Sequence, residues 1–260
     1  MNDYILITGA SSGIGLEMAK QLAARKYNLV LTARNLGKLT ALQSQLESAY
    51  GVQVATVACD LSEPGSAEAL YEEIKSRQLS VGMLVNNAGS GLYGNFSDTD
   101  LNAELQMIAL NVTSLVTLTK LFLQDMLVQK RGRILNVASL LSYLPFPYYT
   151  VYSATKSFVL AFSETLAAEL EGSGVSVMTL CPGPVDTAFN SDAMWKTNAY
   201  KSNRPVSPDV AAEAGVNLLL QGRGTRVVGF NNWFISQLPR ITPSRIMMRI
   251  KKNLASQRVA

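Results

Sequence analysis

The sequence predicts one α/β domain built on a doubly wound parallel sheet with helices on both faces. Three observations predict it. Short apolar runs, such as residues 29–31, 84–85 and 175–180, read as strands buried on both faces. Helical patterns fill the intervals between such runs, with no internal repeat or low-complexity tract. Of the 260 residues 48% are apolar and only 16% are charged, which suits a sheet covered on both sides.

The first strand, residues 4–8, ends at Thr8 and runs into a turn spaced Gly-x-x-x-Gly-x-Gly: Gly9, Gly13 and Gly15, with Ser11, Ser12 and Ile14 between them. A helical pattern follows at Leu16, Met18, Ala19, Leu22 and Ala23. Strand, glycine turn and helix are what a dinucleotide-binding turn needs, although the spacing departs from the usual Gly-x-Gly-x-x-Gly. Glycines let the backbone approach a pyrophosphate, and the helix N-terminus supplies N–H donors and a positive dipole. The same residues match the Gly-x-Ser-x-Gly elbow of serine hydrolases, but that chemistry needs a histidine base and the chain contains none.

The second strand, residues 28–33, ends at Ala33 with Arg34 beside it. An acidic residue there would accept from a ribose 2′-hydroxyl and repel a 2′-phosphate. A guanidinium matches phosphate with a bidentate fork, so the pair favours NADP(H). Lys38 reads as an exposed residue of the next helix. The third strand, residues 52–59, leads to Asp60 and Leu61. Asp60 on its own reads as a helix N-cap. The fourth, residues 82–86, ends in Asn86, Asn87, Ala88 and Gly89. A long helical pattern over 101–130 contains Asn111, and the fifth strand, 133–138, ends at Ser139.

A helix over 150–171 carries Tyr152 and Lys156, which at i and i+4 share one face. A free phenol has a pKa of about 10, and a nearby cation is expected to lower it into a usable range. The sixth strand, 175–181, precedes Pro182, Gly183, Val185 and Thr187; the last spans 225–229. Right-handed crossovers make this a seven-stranded sheet, and every motif falls at a C-terminal strand end, where such sheets bind ligands.

Together these residues resemble the classical short-chain dehydrogenase/reductase family. Thr8 with its glycine turn is similar to the family's cofactor turn, Asn86 to Gly89 to its central-strand motif, and Tyr152 with Lys156 to its active-site pair. Asn111 falls at the family's asparagine, and Ser139 stands 13 positions before the tyrosine, the family's usual gap. Pro182, Gly183 and Thr187 resemble the nicotinamide-side loop. The resemblance covers about residues 3–230, with no departure at a catalytic position.

The resemblance implies a Rossmann-type sheet with strands ordered 3-2-1-4-5-6-7. It implies a nicotinamide cofactor held by Gly9, Ser11, Ser12, Gly13, Ile14, Gly15, Arg34, Asp60, Leu61, Asn87, Ala88, Gly89, Tyr152, Lys156, Pro182, Gly183, Val185 and Thr187. The implied reaction interconverts a carbonyl and a secondary alcohol. Tyr152 would be the general acid/base, and Lys156 would stabilise the phenolate and bind the nicotinamide ribose. Ser139 would hydrogen-bond the substrate oxygen, while Asn111 would hold a water linking Lys156 to solvent. No metal is expected, since the absence of histidine excludes the usual zinc constellations. The alternative is a non-catalytic NADP(H)-binding sensor or scaffold on the same fold.

Residues 1–230 are read as the catalytic domain, with a substrate loop near 183–205, and 231–260 as its extension. Leu140, Leu141, Tyr143, Leu144, Phe146, Phe189, Met194 and Trp195 are expected to form an apolar substrate wall, favouring a lipophilic carbonyl. The competing reading makes them core and subunit contacts. Cys59 and Cys181 read as small core residues. The first strand begins too near Met1 to leave room for a signal peptide, and no uninterrupted apolar run reaches spanning length, so a cytoplasmic protein is expected. The sequons at Asn95 and Asn111 carry no weight there.

Helices 101–130 and 150–171 carry apolar residues on more than one side, among them Leu105, Ile108, Leu121, Phe158 and Phe162, which predicts a homodimer or homotetramer. After Gly229 come Arg240, Arg245, Arg249, Lys251, Lys252 and Arg258, with no Asp or Glu. Within 244–254, Ile246, Met247, Ile250 and Leu254 oppose Arg245, Arg249 and Lys252, the pattern of a basic amphipathic helix. Its expected place is packed over the substrate site or a partner subunit. Weak attachment to an anionic membrane surface is the other reading, and nucleic-acid binding is excluded by the slightly acidic body.

Overall fold

Strands and helices were assigned in a computed structural model that describes residues 3–256. The apolar runs form β1 (Tyr4–Thr8), β2 (Asn28–Ala33), β3 (Val54–Ala58), β4 (Val81–Asn86), β5 (Gly132–Val137), β6 (Val175–Cys181) and β7 (Gly224–Val227). They make one sheet in the order β3-β2-β1-β4-β5-β6-β7, with every pairing parallel. The helices are α1 (Gly13–Ala24), α2 (Leu36–Tyr50), α3 (Ser66–Ser76), α4 (Leu101–Ile108), α5 (Ser114–Val128), α6 (Thr150–Glu169), α7 (Asp192–Trp195), α8 (Asn198–Ser202), α9 (Pro208–Gln221), α10 (Phe230–Ile241) and α11 (Ser244–Ala255).

Alternate residues of each strand feed opposite cores, as a period of two requires. Ile5, Ile7, Leu29 and Leu31 meet Met18, Leu22, Leu39, Leu46, Val216 and Leu219 from α1, α2 and α9. Leu6, Val30, Leu84 and Ile134 meet Leu70, Ile74, Leu118 and Phe122 from α3 and α5. Each such side chain contributes about 1.5–3 kcal/mol on burial. Capping fixes several helix ends: Asn35 accepts from the Lys38 N–H at 2.9 Å, and Gly51 closes α2 in the left-handed conformation.

Some expected boundaries move. The edge strand β3 starts at Val54, and β7 stops at Val227. The helix expected over 101–130 is one stretch from Leu101 to Val128, but a π turn over Ala109–Thr113 interrupts it and carries Asn111. Such turns widen a helix by one residue and are common at functional sites. By length and composition this stretch is apolar enough to cross a membrane. Here Leu118, Phe122 and Met126 lie against the sheet. The expected cytoplasmic location finds no support in the structure.

The tail folds as α10 and α11, the latter packed near α8. Tyr93 Oη donates to the Ala255 carbonyl at 2.8 Å, and Asn198 Nδ2 donates to the Asn253 carbonyl at 2.8 Å. Of the expected stripe, Met247 and Leu254 face the protein, together with Lys251 and Ala255, while Ile246 and Ile250 are left exposed. Arg258 lies outside the described residues.

Candidate active site

Hydrogen bonds from one threonine clamp the ends of β1 and β4. Thr8 Oγ1 accepts from the N–H groups of Asn87 and Ala88, both at 2.9 Å, and Asn87 Nδ2 donates to the Thr8 carbonyl at 2.8 Å. The glycine turn is tight for a steric reason. A Cβ on Gly15 would lie 2.5 Å from Asn87 Nδ2 and from the Gly9 carbonyl oxygen, and Gly9 and Gly13 have φ of +66° and +55°. No side chain caps α1, so its first N–H groups remain open to an anion.

A cavity of about 990 Å³ runs along the C-terminal strand ends. Gly9, Ser11, Ser12, Gly13, Ile14, Arg34, Asp60, Leu61, Asn87, Ala88, Gly89, Ser139, Tyr152, Lys156, Pro182, Gly183, Val185 and Thr187 all line it. Gly15 and Asn111 are not on its wall. Gly15 packs beneath the turn.

At one end the Arg34 side chain is 80% exposed, with Nη1 4.0 Å from Asp60 Oδ2, and Lys38 lines the same mouth. So exposed and long a pair is weak, which leaves the guanidinium available to a ligand. Asp60 Oδ1 accepts from Ser62 N–H at 3.0 Å and Ser62 Oγ at 2.6 Å. Partial burial pushes its pKa up, but the two Ser62 bonds and the Arg34 charge outweigh that and hold the carboxyl below its ordinary value. The helix-cap reading of Asp60 fails, because α3 begins at Ser66 with Gly65 as its N-cap.

Ser139 follows β5 and opens a short turn over Leu140–Ser142. Its hydroxyl accepts from Leu141 N–H at 3.1 Å, while Ser142 Oγ accepts from Ser139 N–H and donates to the Lys156 carbonyl at 2.7 Å. The end of β5 is thereby tied to α6, whose buried side carries Tyr152 and Lys156. Lys156 Nζ donates to the Val137 carbonyl at 2.9 Å.

The expected cation-lowered phenol is not what this arrangement shows. Burial pushes the Tyr152 phenol up to about 12, with the Ser139 hydrogen bond opposing it. Burial also pushes the Lys156 ammonium down to about 8, against a smaller upward pull from Cys181. Desolvation dominates because both side chains are buried where they line the cavity.

Asn111 is buried and bonded through both ends of its amide. Its Oδ1 accepts from Ser90 N–H at 3.0 Å; its Nδ2 donates to the Ser90 carbonyl at 2.9 Å and to Thr155 Oγ1 at 3.1 Å. It ties the loop after β4 to α6 with both of its side-chain donors.

The far half of the cavity is apolar. Leu140, Leu141, Leu144, Phe146, Phe189 and Met194 line it as expected, joined by Leu92, Met107, Tyr149, Tyr200, Ile235 and Leu254. Tyr143 and Trp195 do not reach it. Tyr143 packs between the clusters of Leu140, Leu144 and Met247 and of Leu115, Val159 and Cys181, and Trp195 turns outward against Tyr200, ring centroids 5.3 Å apart. The Tyr149 hydroxyl, buried on the wall beside Thr197, has no hydrogen bond of acceptable geometry.

Beneath the site lies a polar network that sequence reasoning missed. Asn86 Nδ2 donates to Thr119 Oγ1 at 3.0 Å and to Asn136 Oδ1 at 2.9 Å, and Asn136 Nδ2 donates to Ser163 Oγ at 2.8 Å. An asparagine inside the apolar run of β5 was its one visible signal.

The family model described as short chain dehydrogenase matches residues 3–197. Human 17-beta-hydroxysteroid dehydrogenase type 3 is 37% identical over 206 residues, covering 76% of this chain and 65% of that protein. The chain thus spans just under two thirds of that relative's length. Very-long-chain 3-oxoacyl-CoA reductase from Anas platyrhynchos is 32% identical, covering 98% of this chain and 81% of that one. Among solved structures, a short-chain dehydrogenase from Sphingobium yanoikuyae in complex with NADPH superposes with a TM-score of 0.80 at 28% identity, covering 92% of this chain and 93% of that one. A parallel sheet in this order, a glycine turn clamped by Thr8 and Asn87, and this match agree: the chain belongs to the short-chain dehydrogenase family.

Proposed function

We propose that the protein is an NADP(H)-dependent oxidoreductase that interconverts a carbonyl and a secondary alcohol on a lipophilic substrate. One observation carries the reading: Ser139, Tyr152 and Lys156 stand where the polar, glycine-lined half of a single cavity meets its apolar half. The residues present fit a dinucleotide. The turn at Gly9, Gly13 and the open N-terminus of α1 would take the pyrophosphate, Arg34 the 2′-phosphate, and Asp60 with Leu61 the adenine side. Asn87, Ala88, Gly89, Pro182, Gly183, Val185 and Thr187 would flank the nicotinamide half, with Lys156 on its ribose. When bound, the nicotinamide gives or takes a hydride at the substrate carbon.

The chain's own part is the proton. In reduction the Tyr152 hydroxyl hands its proton to the substrate oxygen, and in oxidation the phenolate takes it back. The Lys156 ammonium stabilises that phenolate, and Ser139 Oγ–H orients the substrate oxygen. Asn111 is a positioning residue, holding Ser90 and Thr155 in place.

Support for a lipophilic substrate comes from the apolar half, where no Lys or Arg is among the lining residues. The relatives' names, a hydroxysteroid dehydrogenase and a very-long-chain 3-oxoacyl-CoA reductase, are of the same kind. NADPH bound to a solved relative supports the cofactor. A homodimer or homotetramer belongs to the same reading, because Leu101, Leu105, Ile108 and Phe158 remain exposed on α4 and α6. The test is NADPH absorbance with a panel of steroid-like, aromatic and 3-oxoacyl ketones. Tight NADPH binding with turnover of none of them would favour the sensor reading instead.

A further inference from the structure

The fold leaves α10 and α11 with two sides of different chemistry. Their inner sides belong to the enzyme: Ile235 and Leu254 line the cavity, and Met247, Lys251 and Ala255 are buried. Their outer sides are apolar where a solvated helix would be polar. Phe230, Trp233 and Phe234, at i, i+3 and i+4, are 77%, 49% and 56% exposed. Ile246 and Ile250 are 55% and 45% exposed on α11. The bonds from Tyr93 and Asn198 fasten the last turn of α11, so it cannot roll these side chains inward without breaking them.

The charges that α10 and α11 themselves carry all have one sign. Arg240, Arg245, Arg249 and Lys252 are exposed, and none of them makes an ion pair among the described residues. No Asp or Glu follows Gly229 anywhere in the sequence. Exposed aromatics beside unpaired cations are the chemistry of an interface that is apolar beneath and anionic at its rim.

We propose that the outer face of α10 and α11 docks the protein on an anionic lipid surface, with Trp233, Phe234 and Ile250 entering the headgroup boundary and Arg240, Arg245, Arg249 and Lys252 meeting the lipid charges. The docking face differs from the stripe read in the sequence: Met247 and Lys251 face the protein. Four basic residues near such a surface change partitioning by roughly 10³-fold, and salt screens the attraction over about 10 Å at 0.1 M. Docking does not depend on the proposed reaction, since none of these side chains is in the catalytic set.

The experiment is co-sedimentation of the full chain with phosphatidylcholine vesicles, with and without about a third phosphatidylserine. A Trp195→Phe background lets emission report Trp233 alone. The expected result is binding to the anionic vesicles at low salt, release by high salt, and a blue shift of Trp233 emission on binding. Combining Arg240→Ala, Arg245→Ala and Arg249→Ala should weaken binding at least about tenfold, in proportion to the charge removed. All three residues are exposed, and an unchanged melting temperature would show that the variant is folded. Trp233→Ala with Phe234→Ala should weaken binding to both vesicle types. No pelleting with anionic vesicles at low salt overturns the proposal, as does equal binding to neutral ones. So does a doubled mass in solution that is lost with Trp233→Ala and Phe234→Ala without vesicle binding, since the occupant would then be a second copy of the chain.

Discussion

The ammonium nitrogen of Lys156 donates to the carbonyl oxygen of Val137 across 2.9 Å, which fastens the cation to the end of β5 from which Ser139 projects. One carbonyl does not replace the lost hydration, and burial lowers the group from 10.5 to about 8. Between those values the unfolded chain holds a proton that the folded chain has shed, so stability rises with pH across that window. Below about pH 8 the folded protein carries the whole penalty. Lys156→Met should therefore abolish turnover yet stabilise the ligand-free protein near neutral pH. The gain is about 3 kcal/mol from the relieved charge, less about 1.5–3 kcal/mol for the charged bond to Val137. Denaturant midpoints at several pH values test this, and a variant less stable than its parent at pH 7 would count against it.

Tyr152→Phe removes only the ionisable oxygen. Cofactor affinity should stay within about twofold, while turnover falls roughly 10²–10⁴-fold. Because burial holds the phenol up at about 12, the ligand-free enzyme keeps its proton through the neutral range. Reduction, which consumes that proton, should show no loss to phenol ionisation there. A variant keeping more than about a tenth of the parent rate would rule out the acid/base role.

The parts of this molecule that could be read in advance are those in which local chemistry decides structure. Apolar runs placed all seven strands, with bounds that move by a residue or two, most at β3 and β7, and the C-terminal strand ends carry the site. Less legible was anything set by what a side chain meets across the fold. Tyr143 and Trp195 are as apolar as Phe146 and Met194, but neighbours turn them away from the cavity. The Asn86–Asn136–Ser163 network joins two strands and a helix far apart in sequence. In α11, anchoring through Ala255 and Asn253 turns only Met247 and Leu254 of the expected stripe inward and leaves Ile246 and Ile250 out. The phenol's pKa could not be read from Tyr-x-x-x-Lys, since spacing says nothing of burial.

Arg34 tests cofactor choice. Its guanidinium is largely free of protein partners, with Asp60 the nearest carboxylate at 4.0 Å. Arg34→Leu should weaken NADPH at least about tenfold, the scale of a charge-assisted pair, and leave NADH little changed. Fluorescence titration of both cofactors decides it; equal losses would remove Arg34 from the 2′-phosphate role.

The proposed self-association rests on the apolar residues that α4 and α6 leave in solvent, Leu101, Leu105, Ile108 and Phe158. Exposed large apolar side chains grouped on helices are a mark of interaction sites. Light scattering at micromolar concentration should give a multiple of 28.1 kDa, and Leu105→Glu with Phe158→Glu should lower it. A monomeric mass for the parent chain would contradict the prediction.

Tyr149 is buried on the substrate wall, one helical turn before Tyr152, with ring centroids 6.4 Å apart and a hydroxyl left without a bond of good geometry. A buried hydroxyl in that state costs about 1–3 kcal/mol, so something should meet it in the working enzyme. A substrate oxygen a few bonds from the reacting carbonyl is placed to do so, as in a 3-oxoacyl compound. Tyr149→Phe should then stabilise the ligand-free protein by about 1 kcal/mol while raising KM at least about fivefold for substrates carrying that second oxygen. The turnover number should change less, because the bond forms in the ground state as well as in the transition state. Ketones with a single oxygen serve as the comparison and should show no rise in KM. An equal rise for both classes would mean that Tyr149 only shapes the wall.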